Sequence, residues 1–183
     1  MKPAVRWLPF QLNPDLPEQG IPRADYIARK FGARGRGNYE RVSKVGETLG
    51  IPFAFDKIEV QPNTLNAHRL LHYAEQQQQR QEAVAEVLFN AYFIEGANLT
   101  DLDTLAGIAQ KAGLDGDAAK TYLASDTDRD TVAGADVEAR NAGIGGVPYF
   151  IFNRAVGVSG AQEPETLLQA MLQALRPPVA RTG

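Results

Sequence analysis

From residue 63 to residue 143 the apolar residues recur near every 3.6 positions, a period that commits the middle of the chain to packed helices. Ala67, Leu70, Leu71 and Ala74 form the first stripe, behind Asn63 and Thr64, either of which can cap a helix by accepting its free N–H groups. Gln76, Gln77, Gln78 and Gln79 read as a solvated helix end, because Val84, Val87, Leu88, Ala91 and Tyr92 resume a stripe directly after them. Thr100 with Asp103 approximates a capping box ahead of Leu102, Leu105, Ile108 and Ala109, and Gly113 closes that helix. A short helix runs through Ala118 and Leu123. Val132, Ala135, Ala139 and Ala142 predict one more, ended by Gly143 in the left-handed conformation of a C-terminal cap.

The ends of the chain change period. Met1, Lys2 and Pro3 lead into an apolar run from Ala4 to Phe10 that reads as a buried strand, leaving on the turn residues Asn13, Pro14 and Pro17. Tyr26, Ile27 and Phe31, then Tyr39, Val42, Val45 and Leu49, predict two helices stopped by Gly32 and Gly50. Tyr149 to Phe152 and Val156 to Val158 predict a hairpin turning at Asn153 and Arg154. Leu167, Leu168, Met171, Leu172 and Leu175 predict a last helix with one buried side, entered at Pro164 and ended by Pro177 and Pro178. Strand, helices, hairpin, helix is an α/β order in which a helical block interrupts a small sheet.

Composition narrows the chemistry. With 44% hydrophobic and 22% charged residues in 183, the chain is long enough for one domain with an inserted subdomain. A formal net charge of −3 with interspersed signs gives no field for nucleic acid or anionic lipid, so neither nucleic acid nor membrane is an expected partner. No run approaches the ~20 apolar residues of a membrane span, and the start lacks a signal-peptide core, so the expected location is cytoplasmic. There is no cysteine, which excludes disulfides, cysteine nucleophiles and thiolate metal sites.

Three constellations invite a sharper reading. His68 and His72, the only histidines, share a helix face at metal-ligand spacing, yet no third ligand accompanies them, and they read as a surface pair or satisfied core residues. Asp126, Asp128 and Asp130 alternate as calcium ligands do, but the glycine turn and closing glutamate are missing; they read as an acidic helix start. Gly143, Gly145 and Gly146 precede a strand instead of following one, the reverse of a phosphate-binding loop. No metal and no cofactor is expected.

The run Gly146, Val147, Pro148, Tyr149, Phe150 resembles the cis-proline loop that opens the third core strand of DsbA-like thioredoxin folds. Trp7 to Pro14, Asn63 to Arg69, Leu88 to Gly96 and Val158 to Gln162 resemble the FrnE-type branch of that family, and together these stretches cover nearly the whole chain. The resemblance implies a thioredoxin-like core in residues 1–62 and 144–178 and a large helical insertion in 63–143. It implies that Val147, with Gly146 and Pro148, offers a backbone edge to an extended peptide or a small thiol such as glutathione, as in strand addition. Asn63, Ser159, Gly160 and Gln162 are the further substrate-binding positions it suggests. Kappa-class glutathione transferases and hydroxychromene-carboxylate isomerases share the Asn63 region and the Gly-Val-Pro loop, but they carry Trp-Gly and Asp-Arg where this chain has Ser159 to Gln162.

The departure is at the front, where the family has a strand, a Cys-x-x-Cys and a helix upstream of the stretch matching Ala4 to Phe10. With that β-α unit absent, the chain has no attacking thiolate and is expected to be inactive in exchange as written. The resemblance leaves three outcomes for the sheet: its neighbouring strands close up, another chain fills the place through exposed strand edges, or the recorded start lies too late, which is the favoured one. The alternatives are a non-catalytic module that holds a peptide or thiol without chemistry, and a glutathione-dependent transferase or isomerase.

Overall fold

The computed structural model describes residues 3–32, 35–77 and 81–176, with the backbone alone for 35–38. Met1, Lys2, Gln78, Gln79, Pro177 and Pro178 lie outside the described residues. The chain forms two compact units, Met1–Asp136 and Val137–Gly183.

In the first unit a two-residue antiparallel ladder joins β1 (Ile21–Pro22) to β2 (Val60–Gln61), with Ile21 opposite Gln61. Between these strands lie α1 (Arg23–Phe31) and α2 (Gly35–Thr48), followed by a short 3-10 turn (Phe55–Lys57). Then come α3 (Leu65–Gln76), α4 (Gln81–Asn90) with its π-helical extension (Ala91–Glu95), α5 (Leu102–Lys111), α6 (Gly116–Ala124) and α7 (Arg129–Asn141). As the 3.6 period predicts, the described part of residues 63–143 contains helices and no strand. Leu70, Ala74, Val84, Leu88, Leu105, Ile108 and Ala119 form the centre of its core. One cap moves by a residue: Asp101, not Thr100, starts α5, accepting from the Thr104 backbone N–H and hydroxyl at 2.8 Å each. Either residue type caps well. Thr100 instead donates its hydroxyl to Asn98 at 2.8 Å.

The run from Ala4 to Phe10 is extended but joins no ladder among the described residues, which corrects the expectation of a buried strand. Val5 is 65% exposed and Leu8 58%, and only Phe10 is buried. Side chains hold it in place of a neighbouring strand. Gln81, itself buried, accepts from the Trp7 N–H at 3.0 Å and donates to the Trp7 carbonyl at 3.1 Å and the Leu71 carbonyl at 3.2 Å. An amide side chain carries the same acceptor and donor as a peptide group, so Gln81 replaces one rung of a ladder. Asp136 accepts from the Gln11 N–H at 2.7 Å, and the Trp7 ring meets Phe89 edge to face at 5.7 Å.

The α2 face is a second correction, since Val42 and Val45 share it as predicted but are 45% and 56% exposed, and Leu49, in the turn just after the helix, is 70% exposed. Helical spacing fixes which residues share a face and says nothing of whether anything covers it.

The second unit takes in the end of α7, whose stop at Gly143 has the predicted left-handed backbone (φ 85°). There β3 (Tyr149–Phe152) pairs antiparallel with β4 (Val156–Ser159), Phe150 opposite Val158, and α8 (Pro164–Ala174) packs on the hairpin. Asn153 and Arg154 are both left-handed at the turn, and the Ala155 N–H closes it on the Phe152 carbonyl at 2.9 Å. Pro164 occupies the first turn of α8 as predicted. That helix is less buried than its leucines suggest: Ala170 is buried, Leu167 and Met171 half-buried, and Leu168, Leu172 and Leu175 are exposed.

One side chain ties the helical block together. Arg69 is fully buried, and its guanidinium donates to the carbonyls of Tyr122 (3.0 Å), Leu123 (2.9 Å), Ser125 (2.6 Å) and Thr127 (2.8 Å), and to Asn66 Oδ1 (2.9 Å). It therefore caps the C-terminal end of α6, where free carbonyls and the helix dipole favour a cation. Arg69→Leu is expected to lower unfolding free energy by about 3 kcal/mol or more, because several buried carbonyls lose their donor at once. Urea unfolding checks this, and a loss near that of a surface substitution would show that the carbonyls find other partners. Gln81→Ala is expected to cost about 1–2 kcal/mol. Trp7 is the chain's one tryptophan, so freeing its backbone should shift intrinsic fluorescence to the red; an unchanged spectrum would mean the clamp does not hold it.

Candidate functional site

The loop before β3 is built from the turn of residues 143–146 and a cis bond between Val147 and Pro148. Pro148 is locked to the far end of the hairpin: its carbonyl accepts from the Gly160 N–H at 2.8 Å. Gln162 donates to the Ser159 carbonyl at 3.0 Å, closing the same corner, and Gly160 takes a left-handed backbone (φ 80°) there. The structure thus brings Pro148, Ser159, Gly160 and Gln162 together. Val147 is 48% exposed, and its N–H and C=O make no hydrogen bond among the described residues. The hairpin also leaves Tyr149 and Ile151 facing outward, 36% and 49% exposed, so an apolar strip runs on from the open edge. Gly157 is needed beside it, because the Tyr149 ring lies where a Cβ at that position would stand. What the loop can do chemically is pair with an extended backbone. It carries no nucleophile.

Asn63 lies in the first unit. Its Oδ1 accepts from the Leu65 N–H at 3.0 Å, at the start of α3, and its Nδ2 donates to the Leu16 carbonyl at 2.7 Å. Those bonds make it the cap that its position suggested, and the tie that holds the turn at Leu16.

His68 and His72 line a cavity of ≈110 Å³ in the first unit, with Trp7, Leu8, Leu71 and Val132 among its walls. Arg6 and Glu75 bridge its edge through two contacts, 2.5 Å and 3.1 Å. His72 stands 3.6 Å from Asp128, whose carboxylate also accepts from Tyr122 (3.1 Å) and Gln76 (3.1 Å). Hydrogen bonding to that carboxylate comes after burial among the causes that push the Tyr122 hydroxyl up to about 12. No group of three metal-ligating side chains occurs among the described residues. Sequence reasoning missed Gln81 and Asp136, although Gln81 leads the α4 stripe of Val84, Ala85 and Leu88, and a polar residue at a core position must find a partner.

Burial holds the His68 imidazole below its ordinary value of 6.5, against smaller opposing contributions from a hydrogen bond to the Phe10 carbonyl and the charge of Asp136. A lowered folded-state value means that the unfolded chain binds the proton more readily. Stability from this group is therefore full above about 6.5 and is lost as pH falls through that value toward the folded one. Urea unfolding across this range should show the decline, and His68→Gln should remove it; a variant with the same slope would assign the decline to other groups.

Known proteins agree with this architecture. A family model described as the DsbA-like thioredoxin domain matches residues 2–172. The Bacillus subtilis protein YwbO is 29% identical over 168 residues, 91% of this chain and 80% of its own length. The crystal structure of a probable DsbA oxidoreductase from Streptomyces coelicolor superposes with a TM-score of 0.82 at 29% identity, over 93% of this chain and 75% of that one. A protein from Nitrosomonas europaea, provisionally named a protein disulfide isomerase, shares the fold at a TM-score of 0.59 and 14% identity, over 83% of this chain and 85% of its own. No described helix is long and apolar enough to cross a membrane. With the loop at Val147 and Pro148, the helical block and a family match over nearly its whole length, the chain belongs to the DsbA-like thioredoxin domain family.

Proposed function

We propose that these residues are the substrate-holding part of a DsbA-type thiol-disulfide oxidoreductase of the FrnE-type branch, with residues 1–62 and 144–178 as core and 63–143 as the helical insertion. The observation that carries the reading is the open backbone edge at Val147, next to a proline corner pinned by Gly160. An extended peptide adds to such an edge through main-chain hydrogen bonds, which makes binding tolerant of sequence. A small thiol such as glutathione presents the same amide groups. Membership of the family, and the name of the Streptomyces relative, support disulfides as the substrate class.

Exchange begins when a thiolate attacks a disulfide sulfur and the other sulfur leaves as thiolate. These 183 residues contain no cysteine, so they bind without reacting, and any attacking thiolate comes from outside them. The specific outcome favouring a purely binding role is that a form extended by a Cys-x-x-Cys unit, like the chain alone, holds peptide yet exchanges nothing.

The test is a disulfide-reduction assay on an insulin substrate, run on this chain and on a version extended at its start by a strand, a Cys-x-x-Cys and a helix. The chain alone is expected to match the buffer rate, the extended form to exceed it, and both to bind an extended peptide. Turnover by the chain alone, or no peptide binding by either form, would overturn the proposal.

A further inference from the structure

The cavity beside His68 belongs to the first unit, and its polar groups are nearly all committed. Gln81 is used by Trp7 and Leu71, Arg6 and Glu75 satisfy each other, and His72 sits against Asp128 and Gln76. His68, with the exposed Thr131 hydroxyl at the rim, is the exception. One ring nitrogen serves the Phe10 carbonyl, and no other hydrogen bond to the ring forms among the described residues. A neutral imidazole whose single N–H is engaged keeps a bare nitrogen that only accepts. The surrounding wall is apolar, from Trp7, Leu8, Leu71, Val132 and Ala135.

Ligand sites have this composition: an apolar cleft with a few polar groups that fix orientation. Size sets the class. An engineered apolar cavity of ~150 Å³ takes up benzene, so ≈110 Å³ with an open mouth suits one five- or six-membered ring with part of its edge outside. The free groups favour a donor on that ring and offer no charge to balance an anion, since the guanidinium of Arg6 is already paired with Glu75.

We infer that this cavity is a binding site for a small, uncharged ring compound bearing one O–H or N–H donor, which His68 accepts. Phenol has the size and the donor, benzene the size alone.

The experiment titrates phenol and benzene separately into the intact chain and follows amide NMR shifts. Phenol should produce saturable shifts at Leu8, His68, Leu71 and Val132 with a Kd on the order of 1 mM, as befits so small a ligand. Benzene should bind at least about tenfold more weakly, the worth of one well-placed hydrogen bond. Phenol affinity should fall as pH drops and the imidazole is protonated. His68→Leu should bring phenol down to the benzene level, and Ala135→Leu, which fills the space, should abolish both while the far-ultraviolet spectrum is unchanged. The comparison of the two ligands needs no variant, so a poorly folding substitution does not blunt it. Equal affinities, or the absence of saturable shifts with phenol, would overturn the inference.

Discussion

A buried guanidinium without a carboxylate organises the helical block. Arg69 is fully enclosed, and its donors are matched by carbonyl oxygens at and after the end of α6 and by Asn66, with the Tyr122 ring 5.1 Å away. Burying a charge is costly unless its hydrogen bonds are met, and here backbone dipoles meet them, through four carbonyls at and just after a helix end. The consequence is positional. Because the carbonyls of Ser125 and Thr127 are held by a residue of α3, the chain enters α7 at a fixed place, with Asp128 in a left-handed backbone (φ 56°) that few non-glycine residues adopt. From there α7 presents Val132 and Ala135 to the cavity and Asp136 to the Gln11 N–H.

That last contact belongs to an unusual way of holding an extended segment. Residues 4–11 take their order from Gln81, Asp136, His68 and Arg6, each a side chain from or toward a helix, where a strand would take it from a continuous ladder. A ladder satisfies every second peptide group along an edge; separate side chains satisfy the ones they reach. Trp7 and Gln11 are reached, and Leu8 between them keeps its N–H and C=O without a partner among the described residues. This explains how Phe10 and Gln11 are buried while Leu8 and Leu12 are largely exposed within the same run.

Much of the architecture was legible because periodicity is a property of neighbours along the chain. The stripes at Leu70 and Ala74, Val84 and Leu88, and Leu105 and Ile108 all face the core, and the stops at Gly32, Gly50 and Gly143 have left-handed φ values where the spacing placed them. Coverage was not legible, because it depends on what lies opposite. Val45 on α2 with Leu49 just after it, and Leu168 and Leu172 on α8 with Leu175 at its C-terminal cap, have the spacing of a core face and remain exposed. Nor could the sequence say who satisfies a buried polar residue. Gln81 and Arg69 stand at inward positions of their helices, which demands partners, but Trp7 is 74 residues from one and Thr127 is 58 from the other. The proline loop was readable for the opposite reason: its glycines, its proline and the strand that follows are consecutive, so the local chemistry is complete in a few residues.

Holding and reacting, the two halves of the chemistry proposed for this chain, make different physical demands. Holding a substrate requires an unpaired peptide edge in a fixed position. Beside the loop the Gly160 N–H is spent on Pro148 and the Gln162 amide on Ser159. The N–H and C=O of Val147 make no hydrogen bond among the described residues. Reacting requires something different in kind, a thiolate whose proton is lost readily, and no arrangement of the side chains present supplies it. An edge of this sort recognises backbone, which every peptide has, so selectivity must come from the side chains flanking it. The apolar strip of Tyr149 and Ile151 alternates on the outer face of β3, matching the alternate side chains of an added strand. For the extended peptide proposed above, that strip favours apolar residues at every second position.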